Sequence, residues 1–282
     1  MKTTKRYLMG TLLSGAFVAS FVATSLLLQG CGGGGDTSSA LPDFGRYEFY
    51  VATYVTSSGV PDMLEVTDRF VTFVGRYENG EFPTCPRVRG NAGEYTLDFG
   101  DGCYSPVLDE RVAGQVAVVL RDARFNRTDG KLIGASEVSW RTNNLREADG
   151  SVTGSLTLRR RSGNNVSVSY NFDARASCAI RFSFDGDVTF SSDWFSGEYT
   201  VDGSGTYSAP ATGGISYELA RARYQSARCS QPLSGRVSIQ AGGQRGTAIF
   251  ADRRTCGNAT VFWRDTETEF DFTTLSFDVC QR

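Results

Sequence analysis

The sequence contains no histidine. This absence excludes Ser-His-Asp and Cys-His catalysis, as well as imidazole sites for zinc, copper or haem. Lysine is almost as scarce, because Lys131 is the only lysine after Lys5, so amine chemistry has few groups to use. Neither a Gly-rich phosphate loop nor a G-x-S-x-G motif stands out. An enzyme built from this chain would need carboxylates, a tyrosine or a metal held by oxygen ligands.

The N-terminus has the three parts of a secretory signal peptide. Two lysines and an arginine fall within the first six residues, an apolar stretch follows to Leu28, and a small residue, Gly30, precedes Cys31. This order of charge, apolar segment and small residue is typical of a cleaved export signal. The apolar stretch is also long enough for a retained transmembrane helix, which is the alternative. We expect residues 1–30 to be removed.

The segment Leu28-Gln29-Gly30-Cys31 resembles the lipobox of bacterial lipoproteins, in which an aliphatic, a variable and a small residue precede a cysteine. The resemblance implies that Cys31 receives a diacylglycerol and becomes the acylated N-terminus. Each buried methylene contributes ~0.8 kcal/mol, so two or three acyl chains anchor a protein firmly. Gly32 stands where an Asp would retain a Gram-negative lipoprotein at the inner membrane. The resemblance therefore implies the outer membrane, and the sequence leaves the periplasmic or surface face open.

The remaining chain divides into a tether and a domain. Residues 31–42 are rich in Gly and Ser, which is typical of a flexible coil, and residues 43–282 form the β-rich domain. Its length allows one large all-β domain or two smaller ones, with 141–150 and 208–214 as the places for a subdivision. The signal carries three basic residues, so 26 basic face 31 acidic residues afterwards, a net charge near −5. This balance argues against a nucleic-acid partner.

Period-two alternation of apolar and polar residues runs through most of the domain, as in Val166 to Asp173. Asn-Gly and Asp-Gly pairs between such runs suit hairpin turns. The pattern predicts an all-β fold of antiparallel sheets, with about 13 strands between Arg46 and Val279. A β-sandwich, an open or partial barrel and an elongated sheet remain open. We expect the aromatic residues from Tyr47 to Tyr54 in a first strand. At Tyr217–Ala227, the one segment with a helix-like pattern, a helix and a strand both remain open.

A glycine followed by alternation recurs in the strands. It is found at Gly114, Gly154, Gly186 and Gly235, at irregular spacing. Irregular spacing argues against a solenoid or propeller. We interpret these glycines as β-bulges or strand starts; an old hairpin duplication is the alternative.

Six cysteines follow Cys31, and an even number in an exported chain predicts disulfides. They are Cys85, Cys103, Cys178, Cys229, Cys256 and Cys280. The absence of a C-x-x-C pair disfavours zinc and thioredoxin-like redox chemistry. Local pairing favours Cys85–Cys103, Cys178–Cys229 and Cys256–Cys280.

Four carboxylates, Asp265, Glu267, Glu269 and Asp271, fall at alternate positions. On a single extended strand they would share one face, where they could bind calcium or supply a carboxylate pair for glycoside hydrolysis. A hairpin turn at Arg264–Thr268, or an ordinary solvated acidic face, is the alternative.

These features favour a non-enzymatic binding, structural or assembly role at the cell envelope. The expected partners are the membrane, through the lipid anchor, and other envelope proteins or glycans. No catalytic residue is assigned, and no cofactor is expected beyond the covalent lipid on Cys31, with calcium as an option. A carboxylate-dependent glycan hydrolase and a carrier of an apolar ligand are the alternative functions.

Overall fold

A computed structural model describes residues 45–105, 108, 110–147, 150–175, 178–192, 194–195, 197–210, 212–225, 230–251 and 256–274. This part of the chain forms one long helix, fifteen strands and a short 3₁₀ turn. In chain order the elements are α1 (Arg46–Glu78), β1 (Arg87–Asn91), β2 (Glu94–Ser105), β3 (Glu110–Arg121), β4 (Arg124–Phe125), β5 (Leu132–Gly134), β6 (Glu137–Glu147), β7 (Gly150–Ser162), β8 (Asn165–Arg175), β9 (Ala179–Phe190), β10 (Glu198–Ala209), β11 (Gly213–Gln225), β12 (Ser234–Ala241), β13 (Gln244–Phe250), β14 (Asn258–Trp263), β15 (Thr266–Asp271) and the 3₁₀ turn Phe272–Thr274.

Thirteen of the strands form one antiparallel sheet. Each strand pairs with its neighbours along the chain, in the order β1-β2-β3-β6 and then consecutively to β15. Strands β4 and β5 form a separate two-stranded hairpin between β3 and β6. The prediction of an all-β antiparallel fold is confirmed, and among its three forms the structure is a single large sheet that is not a closed barrel.

The two segments proposed for a subdivision both lie at hairpin connections. Residues 141–150 include the end of β6 and the start of β7, and residues 208–214 join β10 to β11. In each case the two strands pair with one another in the same sheet.

The apolar and polar residues that alternate in the sequence lie on opposite faces of the sheet. In β8, Val166, Val168, Tyr170 and Phe172 are buried, whereas Ser169 and the other polar residues between them face outward. The apolar side chains therefore share the inner face, as period-two burial requires.

The segment Arg46–Glu78 was predicted to begin with a strand, and this prediction is wrong. It forms α1, and most of its side chains are buried against the sheet. Gly45 precedes the helix, where Glu48 Oε2 accepts a hydrogen bond from the Gly45 N–H at 3.1 Å. The local aromatic and β-branched residues favour a strand, but burial on every turn against the sheet decides for the helix.

The sequence left a helix open at Tyr217–Ala227, and the structure shows a strand in the described part of this segment. This part lies in β11, where Tyr217, Leu219, Ala222 and Tyr224 are buried. The buried positions shift from odd to even because β11 carries a register irregularity opposite β12 between Ala220 and Arg223. That irregularity breaks the period-two pattern and makes the segment look helical.

The path of α1 across the sheet follows one row of paired residues. The row takes one residue from each strand, and each is paired with the next: Gly90, Tyr95, Val118, Trp140, Leu156, Tyr170, Phe184, Gly205, Tyr217, Ile239, Gly246, Trp263 and Thr266. We call it the central row. Contacts with α1 run along it in reverse order: Arg46 to Thr266, Phe49 to Trp263, Thr67 to Trp140, and Glu78 to Tyr95.

The helix is therefore almost as long as the sheet is wide. At 1.5 Å per residue, a helix of 33 residues spans about 50 Å. Thirteen strands at a spacing of ~4.8 Å span about 58 Å. The sheet forms an elongated trough, and α1 lies along its inner face across the strands.

Close approach and hydrogen bonds fix α1 in this trough. A methyl group on Gly59 would lie 2.0 Å from Cζ of Phe182, so only glycine permits this contact. Trp140 Nε1 donates to Thr67 Oγ1 at 2.8 Å, and the Tyr224 hydroxyl donates to the Ser57 carbonyl at 2.7 Å. Both bonds are buried, where a lost partner is costly.

The recurring glycines mostly mark bulges, as predicted. Gly114, Gly154 and Gly235 have φ of 103°, 158° and 109°, and each lies beside a register shift. Gly186 is the exception, because it continues regular pairing and lies opposite Gly203. Bulges bend the strands that carry them, which suits strands of up to 13 residues that curve around a helix.

A disulfide joins Cys85 to Cys103, as predicted, with Cα atoms 5.9 Å apart. It ties the segment before β1 to the C-terminal end of β2. Cys178 and Cys256 are also disulfide-bonded. Their predicted partners, Cys229 and Cys280, lie outside the described residues, so those two pairings stay predictions.

Candidate functional site

One side of α1 keeps contact with solvent although the rest of the helix is buried. Asp62 and Asp68 are partly exposed and Glu65 is exposed, whereas Leu64 and Phe70 are buried. Residues three positions apart lie on the same side of a helix. We call Asp62, Glu65 and Asp68 the acidic row.

Asp62 lies in the middle of α1 and is half-buried. Burial raises the pKa of this carboxyl well above its ordinary value, and the negative charge of Glu65 raises it further. A hydrogen bond with Ser58 opposes the shift. Desolvation is the dominant cause, since the charged form loses the most when water is removed.

Asp68 lies one helical turn after Glu65 and faces the β4–β5 hairpin. Burial raises its pKa to about 6. Lys131 and Arg69 lower it, whereas Glu65 and Asp129 raise it. The carboxyl therefore changes its charge close to neutral pH, in contrast to an ordinary aspartate.

Glu65 is held by the cation one turn further along α1. Arg69 Nη2 donates to Glu65 Oε1 at 2.5 Å. The arginine side chain is buried and the glutamate is 44 % exposed. Arg69 therefore places a positive charge beside Glu65 and Asp68, and Lys131 places a second one beside Asp68.

Buried tyrosines surround the inner end of the acidic row. They are Tyr170 on β8, Tyr199 on β10, and Tyr217 and Tyr224 on β11. Burial is the main cause that raises the pKa of each, and the charge of Asp62 adds to the shift at Tyr170, Tyr199 and Tyr224. The sheet therefore presents phenol groups, rather than only aliphatic groups, toward Asp62.

Tyr217 and Tyr224 use their hydroxyl protons to hold the scaffold. The Tyr217 hydroxyl donates to the Ser183 carbonyl at 2.8 Å. The Tyr224 hydroxyl donates to the Ser57 carbonyl on α1, and Ser57 Oγ in turn donates to Gln231 Oε1 at 2.5 Å. These bonds orient the phenol rings around the helix.

Asp68, whose pKa is raised to about 6, can gain and lose a proton in a pH range where cells operate. Carboxyl groups with raised pKa values often mark functional sites, although structural burial gives the same shift. A protonated Asp68 donates a hydrogen bond, and an ionised one attracts a cation. Among the described residues, no group of three or more acidic or cysteine side chains is arranged to hold a metal ion.

The four carboxylates predicted near the C-terminus are divided by a hairpin. Asp265 lies in the turn between β14 and β15, so the segment forms a hairpin and not one extended strand. The turn is shorter than the predicted Arg264–Thr268, because β15 already begins at Thr266. Glu267, Glu269 and Asp271 follow on β15 at alternate positions and share its outer face. Thr260 Oγ1 donates to Glu269 at 2.7 Å, and Asp271 accepts hydrogen bonds from Thr273. The structure does not bring this acidic face near the acidic row of α1.

Cys31, the predicted site of lipidation, lies outside the described residues, as do the signal segment 1–30 and the tether 31–42. Within the described part of the chain, no helix is long and apolar enough to cross a membrane.

The period-two pattern that predicts the strands does not reveal the acidic row. Asp62, Glu65 and Asp68 are spaced by three residues, which is the spacing of one side of a helix. Buried Val60, Leu64 and Val71 follow the matching apolar spacing. This signal was present in the sequence and could have identified both the helix and its polar side.

Comparisons with known proteins identify no relative. No protein-family model matches the chain, no curated protein matches it, and no solved structure matches it. A function must therefore be argued from the residues and their geometry.

Proposed function

We propose that the chain is a lipid-anchored protein of the cell envelope with a non-enzymatic binding or assembly role at the outer membrane. The anchor rests on the segment Leu28-Gln29-Gly30-Cys31. The role rests on one observation of the fold: α1 occupies the inner face of the trough along the central row. The outer face and the two edges of the sheet are then the surfaces that meet partners.

The filled trough also bears on the carrier alternative. A carrier of an apolar ligand would hold its cargo on the inner face, where the large apolar side chains are. In this protein Phe49, Phe70 and Phe73 of α1 lie there and are almost completely buried. An apolar cargo would have to displace the helix, so binding on the outer surfaces is favoured.

The experiment replaces Cys31 in the full-length chain. We expect Cys31→Ser to abolish incorporation of radiolabelled palmitate and to release the protein from the membrane fraction. The matched control is Gly32→Ala, which leaves Cys31 intact and should keep both the palmitate label and the membrane association. Capture of partners by crosslinking from intact cells should then depend on the anchor. A Cys31→Ser protein that remains in the membrane fraction without label would contradict the proposal.

A second candidate function is supported by the pKa of Asp68, which is raised to about 6. A general acid for glycan hydrolysis needs such a carboxyl. Incubation of the purified protein with cell-wall glycan tests this directly. If the role is non-enzymatic, no reducing ends are released. A release that Asp68→Asn and Asp62→Asn abolish would instead identify the protein as a glycan hydrolase.

A further inference from the structure

The sheet ends in two edges of different kinds. Strand β1 pairs only with β2 and strand β15 only with β14 among the described residues. Edge strands carry backbone N–H and C=O groups that another strand can use. An added strand is one of the recurring ways in which proteins bind one another.

The side chains of the two edges carry opposite charges. On β1, Arg87 and Arg89 are exposed on the outer face, because Val88 between them is buried. On β15, Glu267 and Glu269 are exposed on the same outer face. Within the described part of the chain, neither arginine forms an ion pair, and Glu267 forms none. Each edge carries two like charges two residues apart on its outer face, and Glu269 also accepts a hydrogen bond from Thr260 Oγ1.

We propose that β15 of one copy of this chain pairs with β1 of a second copy, so that copies associate head to tail. The first and thirteenth strands of an antiparallel sheet run in the same direction, so continuing the trough into the next copy places β15 parallel to β1. In a parallel pair, residues at the same level face the same side. The register in which all five residues of β1 pair with β15 and the outer faces match places Arg87 opposite Glu267 and Arg89 opposite Glu269. The central rows of the two copies are then offset by four residues along the strands.

The charges select this pairing over the two symmetric ones. Two β1 edges would bring four arginines together, and two β15 edges would bring the glutamates together. Like charges opposite one another on neighbouring strands are unfavourable, and opposite charges are favourable. A charged edge is often a protection against association. The like charges on each edge oppose pairing of that edge with itself, whereas the opposite signs of the two edges leave pairing between them favourable.

The resulting contact is heterologous, since different surfaces meet. Such contacts form a ring if the rotation closes and an open chain if it does not. The second copy extends the trough by another thirteen strands and another α1. This self-association does not depend on the lipid anchor, so its outcome and that of the anchor experiment are independent.

The test uses two charge reversals in the full-length protein, purified in detergent. One variant carries Arg87→Glu and Arg89→Glu, and the other carries Glu267→Arg and Glu269→Arg. Light scattering coupled to size exclusion measures association. We expect the average mass of the wild type to rise with concentration. Either variant alone should associate at least tenfold more weakly, at roughly ten times the concentration or above, because like charges now meet at the contact.

Mixing the two variants separates charge pairing from damage to the fold. In the mixture, a glutamate-bearing β1 meets an arginine-bearing β15, and the unchanged edges still match. Association should therefore return to the level of the wild type. Raising the salt to about 1 M should weaken association of the wild type, because a Debye length of about 3 Å screens exposed charges.

A matched control reverses two exposed arginines away from both edges, Arg141→Glu and Arg236→Glu, and should associate as the wild type does. Association through shared micelles would persist in every variant, because all carry the same anchor. A wild type that stays monomeric at every concentration, or a mixture that stays dissociated, would overturn the proposal.

Discussion

The two faces of the sheet are made by the same strands, but they differ in what holds them. In β8, Tyr170 and Phe172 pack in the core, whereas Asn171 and Asp173 between them are exposed. Phe172 stacks on Trp140 with ring centroids 5.1 Å apart, and Trp140 in turn bonds to α1. The outer face holds exposed ion pairs such as Arg181 with Asp173. The comparison teaches that stability resides on the inner face and that the outer face is free to serve contacts.

The largest loss of stability is expected when an aromatic ring of α1 that packs on the inner face of the sheet is removed. Phe70 is completely buried and lies edge-on to Trp140 at 5.2 Å between centroids. We expect Phe70→Ala to lower the free energy of unfolding by about 3–5 kcal/mol, because a cavity replaces the ring. Urea denaturation followed by fluorescence measures the change. Tyr47→Ala on the same helix removes a ring that is 52 % exposed and should cost less than ~1 kcal/mol; equal effects would contradict the comparison.

Acidic groups on the open side of α1 should make stability depend on pH. The pKa of Asp68 is raised in the folded protein to about 6, above the ~3.9 expected in the unfolded chain. A raised pKa favours the protonated form in the fold, so its stabilising effect is complete below pH ~4 and is lost as the pH rises through ~6. Asp62, whose pKa is also raised, acts in the same direction.

The free energy of unfolding of the wild type should decrease between pH 4 and pH 7, and in Asp68→Asn this decrease should be smaller by about 2–3 kcal/mol. Urea midpoints measured across this range give the result. Asp101→Asn removes an exposed carboxylate of β2 and serves as the control for the Asp-to-Asn change itself. A wild-type stability that rises from pH 4 to 7 by the same amount would show that Asp68 is not desolvated.

The smallest effect is expected on the outer face. Arg181 Nε lies 3.0 Å from Asp173 Oδ1, and the two side chains are 76 % and 55 % exposed. Exposed pairs of this kind contribute about 0.2–1 kcal/mol and are screened by salt. A double-mutant cycle of Arg181→Ala and Asp173→Ala should give a coupling energy in that range. A coupling energy above 2 kcal/mol would mean that the outer face contributes to stability as the inner face does.

Much of the sheet could be predicted from the sequence because antiparallel strands with one buried face alternate strictly. Val166, Val168 and Tyr170 show this pattern, and the turn at Ser162-Gly163-Asn164 separates two paired strands, as expected. The local pairing of Cys85 with Cys103 could also be predicted, because a short loop brings the two cysteines together.

The helix and the site on it could not be predicted by the same reasoning. Tyr47 and Phe49 have side chains that favour strands, and α1 also contains Pro61 in its interior. Its stability depends on contacts with residues far along the chain, such as Thr67 with Trp140 and Ser57 with Tyr224. Asp62 acquires its raised pKa only when those strands surround it. No local pattern shows that surrounding.

The match between the length of α1 and the width of the sheet limits how such a domain can evolve. One extra hairpin would widen the sheet by about 10 Å, which corresponds to about six residues of helix. A gene duplication that added two strands without lengthening α1 would leave two strands with an uncovered apolar face. Conversely, a deletion within the helix would pull Arg46 away from Thr266 or Glu78 away from Tyr95. The number of strands and the length of the helix must therefore change together.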